Sequence, residues 1–157
     1  MDLKRLLITV LLCMFSGCMP MPDYLERQIQ DGDYERAIKR GNNWLKDTKP
    51  TEKNALEIRR VKRLIGVARF ERSKKLNTYN SYQAFIRWAQ LRRPAFDDLR
   101  TKAVAHQSRV FYRTQVLTVN TIRAFRMFRK KSPNAPDFSD AIRREAKLAL
   151  EAALAKG

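Results

Sequence analysis

Gly32-Asp33-Tyr34-Glu35-Arg36-Ala37-Ile38-Lys39-Arg40-Gly41-Asn42-Asn43-Trp44-Leu45-Lys46 is the stretch on which the fold turns. Tyr34, Ala37, Ile38, Gly41, Trp44 and Leu45 recur at steps of three and four and so share one face of a helix over 34–46. Asp33 is placed to cap its first turn, since a carboxylate there accepts from backbone N–H groups that have no partner within the helix. Gly32 suits the end of the preceding helix, where a left-handed residue is wanted. The spacing therefore predicts a hairpin of helices over 23–30 and 34–46.

Outward from that hairpin the period persists. After a stop at Thr48-Lys49-Pro50, a helix over 52–74 carries Leu56, Ile58, Val61, Leu64, Ile65, Ala68 and Phe70 on a broad buried face. A helix over 77–91 follows, with Tyr82, Phe85, Ile86, Trp88 and Ala89 inward, and Pro94 closes the pair. Helices over 96–117 and 120–130 form a third pair, stopped by Ser132-Pro133-Asn134-Ala135-Pro136. The last helix, over 137–156, places Phe138, Ala141, Ile142, Leu148, Ala149 and Ala152 on one stripe. Glu145 interrupts that stripe, as expected of a shallowly packed capping helix. Glycine is scarce, with five residues, and alternating β-branched runs are absent. The expected fold is all-α: about seven helices in antiparallel hairpins, stacked as a short superhelix. Residues 80–88 and 120–128 match at an offset of 40, with Pro94 and Pro133 at similar distances beyond, and such a period marks stacked hairpins.

Gly32-Asp33-Tyr34-Glu35-Arg36-Ala37-Ile38, followed by Leu45 and Pro50, closely resembles the second helix of a tetratricopeptide repeat. The later pairs, each with aromatic residues three apart and then a basic-proline stop, are similar to the degenerate repeats of outer-membrane assembly and pilus-assembly lipoproteins. Gly41 stands where that family usually carries a large residue, and the spacing exceeds the standard repeat. The resemblance implies a partner-binding solenoid; an irregular helical bundle with similar stripes is the alternative.

Residues 1–18 carry a second resemblance. Lys4 and Arg5 precede the apolar run Leu6-Leu7-Ile8-Thr9-Val10-Leu11-Leu12-Cys13-Met14-Phe15, and small Ser16 and Gly17 lead into Cys18. The run is long enough for export and too short to span a bilayer. The segment looks like a bacterial lipoprotein signal, with Phe15 where that family favours Leu. The resemblance implies cleavage between Gly17 and Cys18, acylation of Cys18, removal of 1–17, a short linker over 18–22 and one helical-repeat domain over 23–157. An uncleaved anchor or an ordinary secretory signal are the alternatives, and each still places the domain outside the cytoplasm. Met19 after the cysteine, where an acidic residue would favour the inner membrane, points to the outer membrane facing the periplasm.

Cys13 lies in the discarded segment, so Cys18 is the one cysteine expected in the mature chain and no internal disulfide is available. The formal charge is +17, carried by 20 Arg and 13 Lys against 16 acidic residues. That excess points to anionic partners: lipid headgroups, lipopolysaccharide phosphates, peptidoglycan carboxylates, an acidic protein or, less favoured, nucleic acid. The basic clusters are Arg59, Arg60, Lys62 and Arg63; Arg92 and Arg93; Arg123, Arg126, Arg129, Lys130 and Lys131; and Arg143 and Arg144. Among them Arg123, Arg126 and Lys130 fall on one helical face. Each cluster is equally readable as the solvated back of a helix. His106 is the single histidine, without a second imidazole or a thiol to complete a metal site, and reads as structural. No phosphate-binding glycine loop and no nucleophile elbow occurs. The sequence thus predicts a non-catalytic membrane-anchored adaptor for an envelope complex, with no cofactor. A polyanion-binding envelope protein is the alternative.

Overall fold

Pro22 occupies the first turn of α1 (Met21–Gln30), where a missing backbone N–H leaves nothing unpaired. The helix consequently begins two residues before the expected start, inside the segment read as linker. The computed structural model describes residues 19–155, so the segment expected to be a signal, its expected Gly17–Cys18 cleavage junction and the expected acylation position Cys18 lie outside the described residues. What is described is all-α, seven helices with no strand. It divides into two compact units, one up to Ala68 and one from Arg69.

In the first unit, α1 ends on Gly32 at φ +75°. The Gly32 N–H donates to the Ile29 carbonyl and the Asp33 N–H to the Gln28 carbonyl, the paired closure of a helix that turns back on itself. Asp33 then caps α2 (Tyr34–Asp47), its carboxylate accepting from the Arg36 N–H at 3.3 Å. The expected stripe faces inward: Ala37 and Gly41 are buried, Trp44 and Leu45 half-buried. Gly41 has a steric reason. A Cβ there would stand 2.7 Å from Ile65 Cγ1 and 3.1 Å from Leu25 Cδ1, so the bare backbone is what admits those two side chains. Its departure from the tetratricopeptide pattern is thus a close packing point.

A short 3₁₀ turn, Glu52–Asn54, precedes α3 (Ala55–Leu76), and the Asn54 side chain accepts from the Thr51 N–H at 2.8 Å. Ile58, Val61, Ile65 and Ala68 join Leu25 and Ala37 in the core of this unit. Leu56, expected inside, is 79 % exposed. Two residues before Ile58 on a helix is some 200° around, on the opposite side.

The second unit begins with Phe70 and Ser73 at the end of α3 and continues through α4 (Tyr79–Gln90) and α5 (Asp97–Phe111). From α5 the chain runs on as a π-helical turn, Tyr112–Val116, and one further turn, Leu117–Val119. α6 (Ile122–Lys131) and α7 (Phe138–Leu154) complete it. Helices α4 and α5 pack as one pair and α6 and α7 as another.

Asn77 and Asn120, expected to open helices, instead end the preceding ones in the left-handed region, at φ 47° and 46°. Asparagine tolerates that conformation better than most residues. Thr78 and Thr121 follow immediately as caps, accepting from the Ser81 and Ala124 N–H groups at 3.1 and 3.2 Å. Gly32 with Asp33 is the same device. Four residues past each cap lies a fully buried side chain: Ala37, Tyr82 and Phe125.

This alignment corrects the internal period. Thr78 matches Thr121 and Phe85 matches Phe128 at an offset of 43, not 40. A three-residue slip keeps residues near the same helical face, which is why sequence similarity alone settled on the shorter spacing.

Helix α7 departs most from expectation. Ala141 is buried and Leu148 half-buried, but Ala149 and Ala152 are exposed and Ile142 is 40 % exposed. Among the described residues no helix is long and apolar enough to cross a membrane.

Candidate interaction surfaces

The basic residues singled out from sequence divide into those that carry internal ion pairs and those that do not. Arg60 lies 2.9 Å from both Asp23 and Glu26, tying α3 to α1; the hydrogen bond it donates to Glu26 raises its pKa. Arg93 contacts Asp97 at 2.8 Å, and that bond, with one from Arg100, holds the Asp97 carboxyl below its usual range. Arg92 donates to the Trp88 carbonyl at 3.1 Å and lies 4.7 Å from the indole centroid. Arg69 approaches the same ring at 5.0 Å, so Trp88 receives two guanidinium groups. Arg63 is half-buried on α3. Arg59, Arg123 and Lys130 are exposed, with no partner among the described residues.

Arg126 turns toward α7. Its Nε sits 3.2 Å from Glu145 Oε1, while Arg129 Nε lies 3.2 Å from Glu145 Oε2. The Glu145 side chain is 13 % exposed, so the charge that interrupted the apolar stripe is an inward anchor between two arginines of α6. The second contact is close but not aligned as a hydrogen bond, since Arg129 Nε and Glu145 Oε2 each lack a hydrogen-bond partner.

A parallel tie joins the π turn to α7. The Tyr112 hydroxyl donates to Asp140 Oδ2 at 2.7 Å, and Arg144 Nε donates to the same oxygen at 2.9 Å. Burial, reinforced by the Asp140 carboxylate, pushes the phenol well above its usual range. The hydrogen bonds from Tyr112 and then Arg144 hold Asp140 low.

His106 lies flat against the Tyr82 ring, 5.5 Å between centroids at 8°, with Phe70 at 6.0 Å. Burial first, then Arg109 and Lys74, lowers its pKa. Among the described residues no three of His, Cys, Asp or Glu gather as a metal-binding group.

Two surfaces escaped the sequence reading. One is a second apolar face on α7. Ile142, Ala146, Ala149, Leu150, Ala153 and Leu154 follow helical spacing and are all exposed, Leu150 at 61 % and Leu154 at 73 %. The other is a cleft of about 380 Å³ between one face of α5 and the turn after α6. Its lining includes two cations, Arg100 and Lys131. Local spacing could not show the pairing of an α5 face with a turn far along the chain. In comparisons with known proteins, no family model, curated protein or solved structure matches this chain.

Proposed function

We propose that the chain is a non-catalytic envelope lipoprotein, acylated on Cys18 at the outer membrane, whose helical hairpins hold a protein partner on the periplasmic side. The observation that carries the partner-binding part is the outer face of α7: three large apolar side chains at helical spacing stand in solvent beyond a helix that is already packed on its other side. A contiguous exposed apolar stripe of that kind is a common mark of a protein interface. The signal-like segment before Cys18 and the few residues between it and α1 support the anchor and a position close to the membrane.

The test is photo-crosslinking in living cells from a reactive residue at Leu150, with Lys53 as control position, in the native chain and in Cys18→Ser. One stoichiometric envelope protein, captured from position 150 and reduced in Cys18→Ser, is the expected result. Capture of wall fragments or lipid alone from position 150 overturns the reading.

A polyanion-binding role is the second reading, favoured by the exposed cations Arg59, Arg123 and Lys130 that lack partners among the described residues. It requires binding of lipopolysaccharide or DNA that falls steeply with added salt, because bound cations displace condensed counterions.

A further inference from the structure

The cleft beside α5 has the chemistry of a ligand site. Arg100, Val104 and Ser108 succeed one another on a single face of α5, four residues apart. Across from them stand Lys131, Asn134 and Ala135 of the turn that ends α6. At about 380 Å³ the space lies near the lower end of the range that small ligands and short peptide segments fill.

Charge distinguishes its contents. Among the described residues no carboxylate lines the cleft. Asp97, three residues before Arg100 on α5, is held by Arg93 at 2.8 Å and by Arg100 Nε at 3.2 Å. Arg100 is thereby oriented while its terminal nitrogens have no partner among the described residues. Lys131 is exposed and likewise has no partner among the described residues. Asp137, just past the turn, faces Arg109 at 4.0 Å. The carboxyl end of α6 brings partial negative charge, but Arg129, Lys130 and Lys131 occupy its last turn and offset it. The Ser132 carbonyl is taken by the Ala135 N–H at 3.1 Å.

Val104, Ala105, Pro133 and Ala135 supply the apolar part of the lining, beside the uncharged polar Thr101, Ser108, Ser132 and Asn134. Val104 is 40 % exposed, and Ala135 forms a floor against the Tyr112–Phe128 core. No aromatic ring lines the cleft to stack a base or a sugar. We infer that this cleft binds a short acidic peptide segment, its carboxylates taken by Arg100 and Lys131 and an apolar side chain seated on Val104. The inference rests on the adaptor reading for the ligand being a polypeptide, and it names that partner's chemistry.

The test uses the full chain and fluorescein-labelled nonapeptides containing two Glu and one Leu in every arrangement, with the same pool carrying Gln for Glu, read by anisotropy at fixed salt. Saturable binding of the Glu pool alone is expected, weakened about tenfold or more by Lys131→Glu and by Val104→Asp, and unchanged by Lys53→Glu, which alters net charge as much as Lys131→Glu does. Unchanged circular dichroism keeps the variants comparable. Equal loss in Lys131→Glu and Lys53→Glu would reduce the effect to net charge and overturn the inference. So would binding of the Gln pool, or no binding of either pool. If position 150 captures an envelope protein in cells while the pool fails to bind, the cleft inference falls and the adaptor reading stands. If position 150 captures no protein while the Glu pool still binds, the adaptor reading falls and the cleft remains a peptide site.

Discussion

The hairpin made by α3 and α4 and the one made by α5 and α6 follow one plan with one residue of difference. Each first helix ends on a left-handed asparagine, each second helix is capped by threonine, and each buries aromatics four and seven residues later, Tyr82 with Phe85 and Phe125 with Phe128. Phe70 meets Phe85 at 5.5 Å, and Tyr112 meets Phe128 at 4.7 Å. Yet Ser73 to Val116 is a step of 43 and Phe70 to Tyr112 a step of 42. The second copy holds an extra residue, absorbed in the π turn where the Leu117 N–H donates to the Tyr112 carbonyl, five residues back. The gain is visible at the ring. Tyr112 places its hydroxyl on Asp140 of α7, whereas Phe70 has no polar atom to offer. Tyr in place of Phe, set at the start of the π turn that takes up the inserted residue, thus adds a polar tie to the final helix.

If the two copies are equivalent at their centres, Phe85→Ala and Phe128→Ala should each cost about 3–5 kcal/mol in urea unfolding, as full truncation of a buried ring does. A difference beyond about 2 kcal/mol between them would break the comparison. The hydroxyls should separate the copies instead. Tyr112→Phe is expected to cost about 1–2 kcal/mol, since its partner is a carboxylate one-third exposed. Tyr82→Phe, whose hydroxyl meets the Asn77 side chain at 3.3 Å, should cost less. The raised Tyr112 pKa adds a pH signature. The unfolded phenol ionises near 10 while the folded one stays protonated, so stability declines as pH rises past about 10, and Tyr112→Phe should flatten that decline in thermal melts.

The caps sharpen the likeness again: Thr78→Ala and Thr121→Ala should each cost about 1 kcal/mol, and unequal losses would mean that the turns are not the same device. The smallest effect belongs to His106, stacked on Tyr82 in the first copy. Its lowered pKa means that the unfolded chain takes up a proton first on acidification. Stability is therefore full above about pH 6.5 and falls below it, and His106→Phe should remove that slope.

The helices and their inward aromatics were legible because steps of three and four need only local sequence. Gly32 and Asp33 announced their turn for the same reason. The π turn was not legible: Tyr112 and Val116 are four apart and read as plain α-helix. Glu145 looked like a flaw in an apolar stripe, since nothing local says that Arg126 and Arg129 stand across from it. On α7 the alanines blur the boundary between faces, so Ile142 and Ala149 were placed inward when they belong to the exposed side. Leu56 failed in the same direction, an apolar residue whose angular position sets it apart from its neighbours. The cleft needs a helix face and a distant turn at once, which no periodicity encodes.

The doublets Gly32-Asp33, Asn77-Thr78 and Asn120-Thr121 also bear on how such a chain lengthens. Cut just before each left-handed residue, the block 77–119 begins with a complete turn and ends where the next begins. Its duplication in the gene would rejoin like to like at the protein level, with cap, reversal and first buried residue all inherited from within the copied piece. Growth by whole hairpins therefore needs no new junction to evolve, whereas a block cut three residues away, at the offset that sequence similarity favours, would split a helix from its cap.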